Sequence, residues 1–447
     1  MRHAVFTAAV LAGCHGEAVI VGELQEVAQL KAAQNPNLDI LFVIDDSGSM
    51  GDTQASLAEN FPRMMDVLEE LDGGLPNLHI GVVTSDMGTT GTDGAVAPGI
   101  GQLGNGGCAG AGKDGALQTN NTAGVTATFL SDIALADGTR EKNYVGELRD
   151  VFASIALAGI GGCGFEQHLH AMQRSFLNPA NAGFLRFEAN LAVIVIADED
   201  DCSMRNASGL LGPETAELGP LQSFRCTRFG VECDQSLDSV GAKTGCAPKL
   251  DSLVEDVQPF VDSLVTLKGD DRKIMVAGVI GDPDPFAVRE TTINGQTQLA
   301  LTPSCTLDGP NGAETAEPGV RLAAFLDAFP GRSQRATICS PDLSSPMGQI
   351  GASAKRLVGD PCLDSSQLVD ASPDPGVQPA CEVLDIRDSA PDAPELLPEC
   401  ASGAGTCYEM VADPIACPST VDHLRIRFRR SAAAADDTWT SIRCQLR

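Results

Sequence analysis

Asp45, Ser47 and Ser49 stand at alternate positions in Asp45-Asp46-Ser47-Gly48-Ser49-Met50 and aim three oxygen-bearing side chains at one point. A few oxygen ligands suit a hard ion such as Mg²⁺, which keeps waters and open positions. The spacing works only on a turn held from both sides. Before it, Ile40-Leu41-Phe42-Val43-Ile44 is a continuous apolar run rich in β-branched residues, which predicts a strand buried on both faces of a parallel sheet. After it, Leu57, Phe61, Met64, Met65, Leu68 and Leu71 recur at three- and four-residue spacing. They predict an amphipathic helix, kinked at Pro62. The oxygens then lie at the C-terminal edge of a parallel sheet, where open α/β folds bind ligands. The plainer reading of the turn alone is a helix start with serine at its N-cap.

The alternation of strand and helix continues downstream. His79-Ile80-Gly81-Val82-Val83, Leu191-Ala192-Val193-Ile194-Val195-Ile196 and Ile274-Met275-Val276-Ala277-Gly278-Val279-Ile280 read as buried strands. Helical spacing marks Val145, Leu148, Val151, Phe152 and Ile155, then Phe165, Leu169, Met172 and Phe176, and finally Met347, Ile350, Ala354 and Leu357. The fold expected is α/β: a doubly wound, mostly parallel sheet flanked by helices.

With this context the Asp45-x-Ser47-x-Ser49 turn resembles the first loop of the metal-ion-dependent adhesion site of the von Willebrand factor type A family. The resemblance covers residues 37–359. It implies a Rossmann-like sheet and a divalent ion, Mg²⁺ or else Mn²⁺ or Ca²⁺, held by Asp45, Ser47 and Ser49. It also implies an aspartate that holds the ion through water just after the central strand, a position that Asp198 matches. One departure stands out. The family supplies a threonine from the loop before the helix near Phe165, and here Cys163 falls near that position. Glu166, Asp200 or Asp201 are substitutes, and Asp46, Thr84 and Asp86 are further candidates for the rim. The acidic crowd of Asp45, Asp46, Asp198, Glu199, Asp200 and Asp201 suits a cation on charge grounds, although acidic turn residues commonly face water.

The rest of the chain limits where such a site can work. Acidic residues outnumber basic ones 60 to 30, a net charge of −30. That excludes a general nucleic-acid binder and argues against adhesion to anionic headgroups. Met1-Arg2-His3 and the apolar run to Leu11-Ala12-Gly13-Cys14 read as a secretory leader, residues 1–13, ending in a bacterial lipobox. Cys14 would carry lipid and residues 14–36 would be a tether, with the outer membrane expected over the inner and the anchor the only membrane contact. Of 15 cysteines, Cys14 removed, eight lie between Cys108 and Cys339 and six between Cys362 and Cys444. Both blocks are even and no C-x-x-C pair occurs, so about seven disulfides are expected rather than zinc.

Residues 86–126 are Gly-, Thr- and Ala-rich, a binding rim or a loose loop. Cys202, Cys226, Cys233 and Cys246 mark a stapled insertion beside the Asp198 strand. Thr292-Ile293-Asn294-Gly295-Gln296-Thr297 predicts a tight hairpin. Residues 360–447 lose helical periodicity and read as a small, disulfide-rich, β-leaning module with strands near 382–386 and 424–428.

Enzyme signatures for phosphate loops, serine elbows and zinc helices are absent. His168 and His170 are two apart on one helix and make a poor metal pair. His79 reads as a satisfied core or edge histidine. The function expected is binding of a protein or other envelope macromolecule, through an acidic side chain of the partner that completes the ion's coordination. A metal-free assembly scaffold and an envelope-polymer hydrolase using carboxylates as acid and base are the alternatives.

Overall fold

The computed structural model describes residues 24–447 apart from 33–34, 72–73, 294–295, 310–311, 360–361, 372–377, 401–404, 415–416, 418–419, 433 and 436. The expected leader and lipobox, Cys14 included, fall outside the described residues, as do Asn294 and Gly295. In chain order the principal elements are β1 (Leu24–Lys31), β2 (Asn37–Ile44), α1 (Gly51–Glu69), β3 (Asn77–Thr84), β4 (Leu130–Ala134), β5 (Arg140–Lys142), α2 (Leu148–Ala156), α3 (His168–Leu177) and β6 (Asn190–Ala197). They continue with α4 (Gln258–Lys268), β7 (Ile274–Ile280), α5 (Val320–Asp327), β8 (Ser333–Thr337), α6 (Ser344–Leu357), β9 (Cys381–Arg387), β10 (Ala390–Leu396) and β11 (Thr438–Gln445).

The architecture is mixed α/β. One sheet runs β8-β7-β6-β2-β3-β4-β5. Neighbours from β8 to β3 are parallel, and β4 and β5 add an antiparallel edge. The β2 run buries both faces, as continuous apolar character requires. Leu38, Ile40, Phe42 and Ile44 pack toward α1, α2 and α6, whereas Leu41 and Val43 pack toward α3, α4 and α5. On the first face Phe61 stacks on Phe152 with centroids 3.6 Å apart, and Phe42 meets Phe61 edge-on at 6.0 Å. α1 runs unbroken through Pro62, so the expected kink does not divide it.

Two helix starts differ from the apolar spacing. Val145 is 75% exposed and precedes α2, and Phe165 precedes α3. Three strands carry little periodicity of their own. β4, β5 and β8 are short, and β5 and β8 form the sheet edges, where half-buried residues dilute the pattern.

The described cysteines form seven disulfides, each within its own block. Cys202–Cys226 and Cys233–Cys246 staple the insertion after β6. Phe286–Ile293 and Gln296–Leu301 pair antiparallel with Ile293 opposite Gln296, the register expected of the hairpin. A second hairpin, Cys305–Gly309 with Gly312–Ala316, is tied to Cys339 through Cys305.

The C-terminal residues build a four-stranded sheet, β1-β11-β9-β10, beside a hairpin of Cys407–Ala412 and Leu424–Arg429. β1 comes from the stretch read as tether. It pairs antiparallel with β11, and its Leu30 is buried in the module's core. Arg272 links the two units, binding Asp388 at 2.6 Å and lying 4.1 Å from the centroid of the Trp439 ring.

Candidate functional site

The chain leaves β2 for α1 and β3 on one side, and later returns to β6 on the other side of β2. Strand order reverses between β2 and β6, and the crevice at such a switch point is where open α/β sheets bind ligands. The Asp45 backbone N–H donates to the Ile196 carbonyl at 3.0 Å, which carries the pairing to the strand ends. The loops after β2 and β6 therefore start side by side.

The first loop folds on itself. Asp45 is fully buried and its Oδ1 accepts from the Ser47 N–H at 2.7 Å. The Ser47 and Ser49 hydroxyls lie 3.0 Å apart, and Ser49 and Asp198 line the same cavity. Asp45, Ser47, Ser49 and Asp198 thus form one constellation drawn from two loops. Burial, then the charge of Asp45, push the Asp198 carboxyl up to about 7. Its Oδ1 is buried with no hydrogen-bond partner, as is Thr84 Oγ1 at the end of β3.

The loop before α3 offers no threonine. Cys163 is bonded to Cys108, so it offers no hydroxyl and instead pins the Gly-rich 86–126 stretch to the loop before α3. That stretch is built rather than loose. Ile100 and Cys108 exchange backbone hydrogen bonds at 2.8 Å. Glu166, in the pinned loop, is 1% exposed. Burial and the nearby Asp45 charge hold its carboxyl well above the usual range.

The remaining candidates divide. Asp46 turns away from the serines toward Lys113, 2.7 Å from its Nζ. A side chain at Gly162 would place a Cβ 2.4 Å from Asp46 Oδ1, so only glycine lets this loop close over the carboxylate. Asp86 is half-buried and accepts from the Gly88 N–H at 2.9 Å, shaping its own loop. Asp200 accepts from the Arg321 and Leu322 N–H groups at the start of α5, and Asp201 pairs with the Arg321 guanidinium at 3.0 Å. Both are engaged in anchoring the loop after β6.

Two residues of the site escaped the sequence reading. His168 Nε2 lies 3.2 Å from Asp45 Oδ2, and neither side chain is exposed. Its polar partner is distant in sequence, and the i, i+2 spacing to His170 gave no hint of it. Lys113 sits in a loop without periodicity. His79, by contrast, is satisfied as expected, with Nδ1 2.7 Å from the Phe184 carbonyl oxygen.

Among the described residues no three His, Cys, Asp or Glu side chains converge as a ready metal cage. The donor set here is instead two carboxylates and two hydroxyls, all hard oxygens, together with buried acceptor positions that have no partner. That composition fits an ion that retains part of its water shell. Beside it lies a cavity of about 160 Å³ lined by Ser49, Thr53, Asp198, Glu314, Thr315 and Cys339. It opens the constellation to a small group from outside.

No family model and no curated protein matches the chain. Among solved structures it is similar to the pilus adhesin SpaC from Lactobacillus rhamnosus GG, at 10% identity and TM-score 0.32, covering 94% of this chain and 40% of the adhesin. It is also similar to a von Willebrand factor type A protein from Catenulispora acidiphila, at 11% identity and TM-score 0.29, covering 94% and 63%. A third is BatB from Bacteroides thetaiotaomicron, at 12% identity and TM-score 0.23, covering 72% and 98%. The chain spans less than half of the adhesin's length, and likenesses this faint carry no argument about activity.

Proposed function

We propose that the chain is a doubly wound, von Willebrand A-like binding protein of the bacterial cell envelope. In this reading residues 37–359 are the binding domain, residues 360–447 an accessory module, and Cys14 a lipid anchor. Asp45, Ser47 and Ser49 hold Mg²⁺ or a similar ion, with Asp198 behind them. The observation that carries the reading is the Ser47–Ser49 hydroxyl pair beside Asp198 at the sheet's switch point, with a buried, partnerless Asp198 oxygen.

The protein's residues divide the work. Ser47 N–H fixes Asp45, Ser49 shares a cavity wall with Asp198, and His168 balances part of the buried charge. A bound divalent ion supplies the positive centre that an acidic surface otherwise lacks. The partner is then a protein or other envelope macromolecule bearing a carboxylate, which the 160 Å³ cavity can admit. Seven disulfides support an oxidising compartment.

The test is capture of envelope components on the immobilised protein in Mg²⁺, followed by elution with EDTA. Chelator-dependent capture that Asp45→Ala abolishes is expected. Equal capture in Mg²⁺ and EDTA would overturn the reading.

A further inference from the structure

Charge around the site does not balance. Asp45 has His168, Asp46 has Lys113, and Asp200 and Asp201 have the backbone N–H and the guanidinium of Arg321. Glu166, Glu199 and Glu317 have no such partner. Among the described residues no lysine, arginine or histidine forms an ion pair with any of them. The loops that carry Glu166 and Glu199 are joined by the Cys202 N–H to Glu166 carbonyl bond, and the nearby charges of Glu166, Glu317 and Asp198 all act on Glu199. Carboxylates gathered in this way repel unless a shared proton or a cation stands between or beside them.

A second observation points the same way. Glu166 is 1% exposed, and its Oε1 is buried without a hydrogen-bond partner. It faces Asp45, Asp198 and Glu199 rather than solvent. An oxygen held there, stripped of water and given no donor, is costly unless a ligand meets it. The backbone is built to keep it in place. The Cys202 N–H donates to the Glu166 carbonyl at 2.7 Å, and the Cys108–Cys163 disulfide pins the preceding turn.

We propose that Glu166 and Glu199 form a second divalent-cation site, adjacent to but separate from the Asp45–Ser47–Ser49–Asp198 set, with Glu317 as a flanking charge. Two protein carboxylates plus waters are a sufficient set for a hard ion. The site turns the departure at Cys163 into a gain, because the loop that lost its hydroxyl delivers a carboxylate instead. Its bridging role joins the loop before α3 to the loop after β6.

The experiment counts ions. Native mass spectrometry of the oxidised chain in Ca²⁺ or Mg²⁺ is compared with Glu166→Gln/Glu199→Gln and with Asp45→Ala/Ser47→Ala. Two ions in the parent and one in each double variant are expected. The amide variants keep shape, so circular dichroism should match the parent. One ion that survives the glutamine changes but not the Asp45 change would overturn this proposal and leave the first site standing. One ion lost only with the glutamines would support the second site and overturn the first. No bound ion in the parent would overturn both.

Discussion

Replacing Arg321 by Met should destabilise the main domain by about 3–5 kcal/mol, the cost of breaking a fully buried ion pair from one side. Neither Arg321 nor Asp201 has an exposed side chain. Nη2 of Arg321 binds Asp201 Oδ2 at 3.0 Å and the Glu255 carbonyl at 2.7 Å, and Nε binds the Asp201 carbonyl at 2.9 Å. Methionine fills much of the volume but leaves three carbonyls, of Asp201, Glu255 and Gly230, without those donors, at roughly 1 kcal/mol each. It also leaves an anion without its cation. Asp201 keeps donors from Leu169 N–H and the Ser203 hydroxyl, which moderates that part. Asp201→Asn tests the other side, and Arg321→Met/Asp201→Asn should cost less than the sum by about 1–3 kcal/mol, as contacting partners do. The assay is guanidinium unfolding followed by far-UV circular dichroism. Fluorescence is unsuitable because the single tryptophan, Trp439, lies in the C-terminal sheet. A cost below about 1 kcal/mol for Arg321→Met, or strict additivity in the double variant, would refute the clamp.

Phe61→Ala should cost about 3–5 kcal/mol in the same assay, since it empties a fully buried place against Phe152 and Phe42. Cys108→Ser/Cys163→Ser opens a cross-link spanning 55 residues and should cost about 4 kcal/mol on the chain-entropy estimate, with ion affinity falling in parallel. The Lys113→Met penalty should depend on pH. Burial outweighs Lys113 and raises Asp46 to about 6, so its carboxyl is neutral in the folded protein below that value and charged above it. The ion pair therefore contributes above about pH 6 and fades below it, and the melting-temperature gap between parent and variant should be wide at about pH 8 and narrow at about pH 5.

The sequence exposes those parts of the molecule whose cause is local. β2, β3, β6 and β7 are legible because a strand buried on both faces must be apolar throughout. Asp45, Ser47 and Ser49 are legible from their alternate spacing on a strand-to-helix turn, whereas Asp198 is singled out only by the resemblance. What depends on distant pairing is not legible. β1 looks like tether because its partner β11 lies over four hundred residues away. His168 and Lys113 meet Asp45 and Asp46 only after the loops close. Asp200 and Asp201 share their acidic character with Asp198, and only Arg321, buried at the start of α5, distinguishes them. The disulfide blocks follow from parity, but the Cys108–Cys163 pairing follows from the fold.

The most direct test is calorimetric titration of Mg²⁺ and Mn²⁺ into the oxidised chain, beside Asp45→Ala/Ser47→Ala. Saturable binding in the parent that falls with the double variant is the predicted result. Absence of binding in the parent, or an isotherm unchanged by the substitutions, would contradict an ion site at the end of β2.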